Sequence, residues 1–505
     1  MAADYDVVII GGGISGLYTA WRLGNTTKLK ILVLEATDRL GGRFLTCEMP
    51  GGFNADLGAM RYSPNCHPIL DSLVQELGVK TTTSIQGGHK KNKFKYFFRN
   101  KYLNNVDELR QMFSISEEDL PLASAVFQLD FGACSKGFDL KVSDDGNFAK
   151  SIEPVSGCLA QDISIDQYLL QSNNVELLNL ARPLFPPGKW PVSVVDAFLT
   201  NLAKNWKSVE LVDRGFEKII NSLVDSFSKC ANVEIKCGNK VSSIANHSGV
   251  FTVKSGRDKD IYSCKKVVYA CSHTGLENIV LEGQADRQAK LKSMLNKIGM
   301  VPSFKMFLTY SRAWWEEGGV FEGHTGTDWP IQLCVAFGDA GKSDGFATIV
   351  ASLAYDNLEL FHNLDMEANE RFQNVTGKVP DYLVPSKRLV EQVHSQLKQV
   401  LGCPDLEEEP VCAIRMFWGT ESDGASSYYP KCGVDSNQLH WESLKPFHDA
   451  DMYISSDTFA AWNENGVDMG WAELPLLTSE RILTNHFGLE PFREGLSLQN
   501  LWPRN

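Results

Sequence analysis

The sequence predicts an α/β fold built from more than one domain, and three observations carry that expectation. Val7-Val8-Ile9-Ile10 runs into Gly11-Gly12-Gly13-Ile14-Ser15-Gly16 and then an apolar-rich stretch to Leu23, which reads as strand, tight turn and helix. A second strand, Lys30-Ile31-Leu32-Val33-Leu34, ends at Glu35, about twenty residues beyond Gly16, the spacing of a carboxylate that takes ribose hydroxyls. Finally, 505 residues exceed the length at which a single core stops growing.

Composition narrows the class. Hydrophobic residues at 43% and charged residues at 22% suit a globular chain and exclude disorder and fibres. No apolar run reaches the length of a membrane span, and the first strand follows the N-terminus with no secretory leader, so a cytoplasmic protein is expected. A net charge of −13 disfavours nucleic acid and anionic membranes as partners. The 12 cysteines are scattered without Cys-x-x-Cys pairs or zinc spacing, as in a reduced protein with no catalytic metal.

In the opening motif Gly11 permits the sharp turn, Gly13 lets a pyrophosphate approach the backbone, and Gly16 allows close helix packing. The anion then rests on the amides of Ile14, Ser15 and Gly16 at the positive end of the helix. Glu35 and Ala36 close the second strand at the ribose. Asp38-Arg39-Leu40-Gly41-Gly42-Arg43 is a second glycine turn, in which Gly42 and Arg43 suit a second phosphate or the edge of a cofactor ring. In Asn54-Ala55-Asp56-Leu57-Gly58-Ala59-Met60-Arg61 the arginine sits in a mostly apolar turn, where burial without an anion is costly. Arg61 is therefore a candidate for gripping a carboxylate with bidentate geometry that lysine cannot reproduce. Up to this point NAD and FAD fit equally well.

Taken together, Gly11-x-Gly13-x-x-Gly16, Glu35, Gly41-Gly42-Arg43 and Leu57-Gly58-Ala59-Met60-Arg61 resemble the flavin amine oxidase superfamily, and within it the L-amino-acid oxidase branch. Tyr62-Ser63-Pro64 with His67-Pro68 is most similar to bacterial tryptophan oxidases of the violacein type, although His67 itself reads as a hydrogen-bonded structural histidine. The resemblance implies a fold of the amine oxidase and glutathione reductase type. A Rossmann-like FAD-binding domain would take residues 1–75, 205–300 and 440–488, and a mixed-sheet substrate-binding domain 76–105 and 301–439. An inserted helical lobe would take 106–204, where periodic segments such as Ile165-Tyr168-Leu169 and Val195-Phe198-Leu199-Leu202 flank a Ser/Asp/Gly-rich stretch. Ala59, Met60 and Arg61 would lie against the flavin, with Arg61 holding the substrate carboxylate.

The same resemblance assigns later positions. Lys93 to Phe98 reads as a strand crossing into the second domain, and Asp213 to Ile220 as the turn that returns to the first. Val241 matches a position whose backbone reaches the adenine, and Lys266 to Ser272 is a buried strand. Lys305 lies in the apolar strand Val301 to Tyr310, an unusual place for a lysine. Its counterparts hold a water at flavin N5 and assist reaction with oxygen. An ungapped alignment puts Ser352 at the second carboxylate contact, usually a tyrosine, so Tyr355 replaces it only if the strand register differs. Ala425 and Ser426 fall where monoamine oxidases carry the flavin-linking cysteine, with Cys432 beyond, which favours non-covalent FAD. Asp457 matches the acid at the ribityl chain. Gly470 and Trp471 match the helix start that binds flavin and the substrate amino group.

The expected function is FAD-dependent oxidative deamination of L-amino acids by hydride transfer from the α-carbon to flavin N5, with Lys305 and Arg61 as its catalytic residues. Trp418, Tyr428, Phe459, Trp462 and Trp471 are candidate walls of a pocket for large apolar or aromatic side chains, and equally candidates for core. The partners are an amino acid and O2, and proteins of this family are commonly homodimers. The rivals are an amine or polyamine oxidase, which leaves Arg61 unexplained, a flavoprotein of the desaturase type acting on a large hydrophobe, and a silent flavin-binding protein.

Overall fold

The computed structural model describes residues 3–84, 95–103, 106–116, short stretches between 162 and 193, 208–256, 260–366, 370–375, 379–421, 424–460 and 472–494. The chain enters through β1 (Tyr5–Ile10), α1 (Ile14–Thr26) and β2 (Ile31–Leu34), then passes β3 (Asn54–Asp56) and α2 (Pro68–Glu76) before β4 (Lys95–Phe98) and β5 (Lys101–Leu103). It returns with β6 (Val233–Lys236), β7 (Val241–His247), β8 (Val250–Ser255), β9 (Asp260–Tyr269) and β10 (Val280–Glu282). A second departure gives β11 (Ser303–Tyr310), β12 (Glu322–Thr327), β13 (Leu333–Phe337), β14 (Phe346–Ala354), α3 (Lys387–Val400) and β15 (Cys412–Trp418). The described part closes with β16 (Met452–Ile454) and α4 (Glu473–Phe487). Among the described residues no helix is long and apolar enough to cross a membrane.

Two large sheets result. The first runs β10-β7-β8-β9-β1-β2-β6, with β16 pairing alongside β9. Its β9, β1, β2 and β6 are parallel, and β7-β8-β9 is an antiparallel excursion. Both faces are covered. Val8, Ile10, Leu32 and Val267 pack on one side. Val7, Ile9, Ile31, Val33 and Val268 pack on the other against Ala20 and Leu23 of α1 and Ile482 and Leu483 of α4. Burial on both faces explains the unbroken apolar runs in these strands.

The second sheet runs β15-β11-β14-β13-β12-β4-β5, so Lys95–Phe98 does carry the chain into it. One face, with Phe304, Met306, Leu308 and Tyr310, meets Leu389, Val393 and Leu397 of α3, whose remaining sides face solvent as an amphipathic helix requires. The opposite face, with Phe307, Val335, Val350, Ile414 and Met416, packs against Leu45, Ala55 and Leu57. Those last residues belong to the segment that carries Arg61, so burying this face brings the Arg61 turn onto the second sheet. The α/β architecture with a mixed second sheet is the one expected. Most of the helical stretch 106–204 lies outside the described residues, although Val106–Met112 and Val175–Leu184 are helical.

Candidate active site

The glycine turn is shaped by backbone contact. Gly11 has φ +114, and a Cβ there would lie 2.3 Å from the Ala270 carbonyl oxygen, so only glycine allows β1 and β9 to end so close together. At Gly13 the same construction meets nothing within 4 Å, which leaves open space in front of the helix. α1 starts there with no side-chain cap and no acid in its first turn, so its leading amides face that space. Glu35 is oriented beside it, one oxygen accepting from the Gly12 amide at 2.7 Å and the other from the Thr37 amide at 2.9 Å. Ala36 is exposed at the same edge. The Asn239 amide donates to the Glu35 carbonyl at 2.8 Å, which brings the start of β7 at Val241 to this end of the sheet. An open glycine, uncapped helix amides and an aligned carboxylate fit a dinucleotide. Ser15 contributes only its amide to that space. Its hydroxyl is buried and turned to the Ser455 carbonyl, to Ser455 Oγ at 2.9 Å and to Ser479 Oγ at 3.1 Å, fastening α1 to β16 and α4.

Arg43 and Asp457 lie 414 residues apart in sequence and meet as a bidentate pair, with both N–O distances 2.6 Å. Arg43 also donates to the Ser426 carbonyl at 2.6 Å, and its guanidinium lies 5.7 Å from the Tyr428 ring. Burial lowers the Arg43 pKa and the Asp457 charge more than offsets it, so the guanidinium stays charged. The Tyr428 hydroxyl is occupied by backbone, donating to the Gly424 carbonyl at 2.9 Å and accepting from the His273 amide at 3.2 Å. Tyr428 is thus a buried brace behind Arg43, its hydroxyl engaged by backbone. Gly42 joins the same surface, since the Gly41 and Gly13 backbones bridge. Asp457→Ala should release Arg43 and weaken flavin retention at least ten-fold, measured as flavin content after gel filtration of the folded variant. Wild-type retention would remove this role.

The second cluster surrounds the Arg61 turn. β11 is paired on both sides, by β14 and β15, so Lys305 cannot reach solvent at a sheet edge. Its buried Nζ donates to the Asp56 carbonyl, lies 3.4 Å from the Gly58 carbonyl and 3.1 Å from Met60 Sδ. Burial drives the Lys305 pKa down and that of Asp56 up, and each moderates the other's shift. Gly58 is fixed by close approach, because a Cβ there would fall 1.8 Å from the Arg43 carbonyl oxygen. The next amide, Ala59, donates to that oxygen at 3.1 Å, linking the Arg61 turn to the Arg43 turn. Arg61 Nη1 lies 3.5 Å from His324 Nε2 on β12. Burial lowers the Arg61 pKa, and the Tyr355 phenol acts in the opposite direction.

The Ser352 and Tyr355 alternatives separate cleanly. Ser352 lies opposite Met306 and donates to the Ile331 carbonyl at 3.0 Å, on the face that meets α3. A bulge follows, with Phe307 opposite Val350, so Ala351 is the extra residue. Leu353 shares the Lys305 face, and Tyr355 lies two residues further on the same side, just past the end of β14. Buried Gln332 fixes its backbone, accepting from the Tyr355 and Asp356 amides at 2.6 and 3.1 Å. Trp418 is core on this face. Its indole donates to the Leu57 carbonyl at 2.8 Å, bracing the turn from behind. Phe459 is buried in the first sheet's core. Trp462, Gly470 and Trp471 lie outside the described residues. The nearby Glu473 is buried and accepts the Ile69 and Leu70 amides, both at 2.8 Å, closing the start of α2. His67, beside it, accepts the Ser63 amide at 2.8 Å through Nδ1.

Sequence reasoning missed His324 and Gln332, since neither lies in a motif. Among the described residues no group of three His, Cys, Asp or Glu is placed to hold a metal ion.

A family model described as flavin containing amine oxidoreductase matches residues 14–463. Achacin from Lissachatina fulica is 23% identical over 95% of this chain and 93% of its own length. An L-amino-acid oxidase from Mus musculus is 24% identical over 65% of this chain and 51% of its own. A solved structure of putrescine oxidase bound to putrescine superposes with a TM-score of 0.67 at 18% identity, covering 96% of this chain and 99% of that one.

Proposed function

The chain belongs to the flavin-containing amine oxidoreductase family, with a flavin as its cofactor and a small molecule and O2 as its substrates, and from that premise we propose that it is an FAD-dependent L-amino-acid oxidase. The overall reaction is L-amino acid + O2 + H2O to 2-oxo acid + NH3 + H2O2. The name L-amino-acid oxidase carried by several relatives supports this reading. The carrying observation is Arg61, a guanidinium 3.5 Å from the His324 imidazole of the sheet face that also presents Lys305, with the Tyr355 phenol favouring its charge. Such a cation suits one carboxylate, and an amine substrate has none to offer.

A bound FAD would supply acceptance of hydride from the substrate α-carbon and return of the electrons to oxygen. The protein supplies position and charge. Gly13 and the first amides of α1 would hold the pyrophosphate, Glu35 the ribose, Arg43 a second phosphate or the ring edge, and Asp457 the ribityl chain. Arg61 and Tyr355 would fix the carboxylate. A contact from the Gly470 carbonyl to the amine would then leave the two remaining α-substituents distinguishable, which selects the L-form. We propose non-covalent attachment, supported by the absence of cysteine from 424–430. Large apolar or aromatic side chains are the preferred class, and a homodimer is the proposed assembly.

Peroxide release measured with a panel of L-amino acids, D-amino acids and simple amines tests the reading. Turnover of L-amino acids is expected, with a rate rising with pH as the substrate amine loses its proton. Turnover of amines alone would overturn it, and a flat pH profile would remove the neutral-amine requirement.

A further inference from the structure

One lateral row crosses five strands of the second sheet on the Lys305 face. It runs Ile414, Phe307, Val350, Val335 and His324, each opposite the next across a strand pair. Four are apolar and packed in one core cluster, and the fifth is an imidazole. The neighbouring row, Met416, Lys305, Leu353 and Leu333, likewise holds a single polar member. Both polar side chains turn to the same short loop, Lys305 to Asp56, Gly58 and Met60, and His324 to Arg61. A valine or leucine would continue the His324 row at no desolvation cost, so the histidine requires another reason.

The partner defines the role. A guanidinium has donors only, so the 3.5 Å contact is a hydrogen bond only where His324 Nε2 accepts, in a neutral ring with its proton on Nδ1. Burial and then the Arg61 charge bring its pKa down to about 3, which keeps the ring neutral at ordinary pH. Tyr355, just past the end of β14 and on a backbone held by Gln332, acts electrostatically on the same guanidinium. Two strands of one sheet, β12 and β14, thus bring side chains that act on one cation.

We propose that His324 is a positioning residue of the carboxylate site, fixing the Arg61 guanidinium so that its outward donors meet the substrate carboxylate. The proposal rests on the amino-acid oxidase reading. It places the role of His324 in binding, upstream of the chemical step.

The test uses the flavin-loaded enzyme with His324→Leu, which continues the apolar row, and His324→Gln, which restores an acceptor. Steady-state kinetics on an L-amino acid and on its decarboxylated amine are paired with calorimetric titration of benzoate, a simple carboxylate. His324→Leu should raise KM for the amino acid and Kd for benzoate about ten-fold, with a much smaller effect on kcat. The amine should be affected far less, and His324→Gln should recover most of the loss. Wild-type values in His324→Leu, or equal losses on amino acid and amine, would overturn the role of His324 while the oxidase reading stands. Wild-type enzyme that oxidises amines but no amino acid would instead overturn the oxidase reading.

Discussion

Arg61→Ala is expected to lower kcat/KM for L-amino acids by about 10²- to 10³-fold, the scale of a lost charge-assisted pair in a desolvated site. Amines that lack the carboxylate should change by no more than a few-fold. The asymmetry follows from where Arg61 sits. Its turn is held by the Ala59 amide on the Arg43 carbonyl, by Trp418 on Leu57 and by Lys305 on Asp56 and Gly58, none of which uses the Arg61 side chain. Truncation therefore removes the cation and leaves the loop in place. Arg61→Lys should rescue little, because one ammonium cannot reproduce two parallel donors. Peroxide release from paired amino acid and amine substrates gives the measurement, and equal losses on both would remove the carboxylate role.

The sequence made the first sheet legible because its information is local. β1, the glycine turn, α1 and β2 are consecutive, and the bond from the Gly12 amide to Glu35 spans only one βαβ unit. Fold class followed from that stretch and from strand patterns that burial on both faces imposes. What failed to show was set by pairing across distance. The bulge at Ala351 decides whether Ser352 or Tyr355 faces Lys305, and an ungapped alignment has no term for one extra residue. His324 lies in Glu322-Gly323-His324-Thr325-Gly326-Thr327, a strand of weak β propensity whose meaning comes from Val335 and Arg61 beside it.

Side-chain direction was the other gap. Ser15 lies in the phosphate motif, yet its hydroxyl serves the joint with Ser455 and Ser479. Trp418 and Tyr428 had the size and polarity of pocket residues, but their N–H and O–H are spent on the Leu57 and Gly424 carbonyls. A large aromatic with a polar tip needs such a partner when buried, and a backbone carbonyl is the commonest one at hand. Composition cannot distinguish that partner from a ligand. Taken singly in the sequence, Arg43 and Asp457 each read as a cofactor contact, and their mutual clamp depends on the pairing of β16 alongside β9.

Lys305→Met should slow reaction of the reduced enzyme with oxygen by about 10²-fold, the usual effect of deleting one preorganised electrostatic group, while reduction by amino acid changes little. Folding should survive. The substitution removes a donor from the Asp56 and Gly58 carbonyls, which costs about 1–3 kcal/mol for buried groups left unsatisfied. It also removes an ammonium from an apolar strand, where burial already works against the charge, so the two changes oppose each other. Asp56 gives a check on that balance. Its carboxylate is held by Thr46 Oγ1 at 2.6 Å and the Phe216 amide at 2.9 Å, contacts that do not involve Lys305 and should hold the turn in the variant. Rapid mixing of the anaerobically reduced variant with oxygen measures the effect, with flavin content and Tm as controls. Wild-type oxygen kinetics would remove the role of Lys305, whereas slow oxygen kinetics with flavin retained and Tm near wild type would locate the contribution of its amine in the reaction with oxygen.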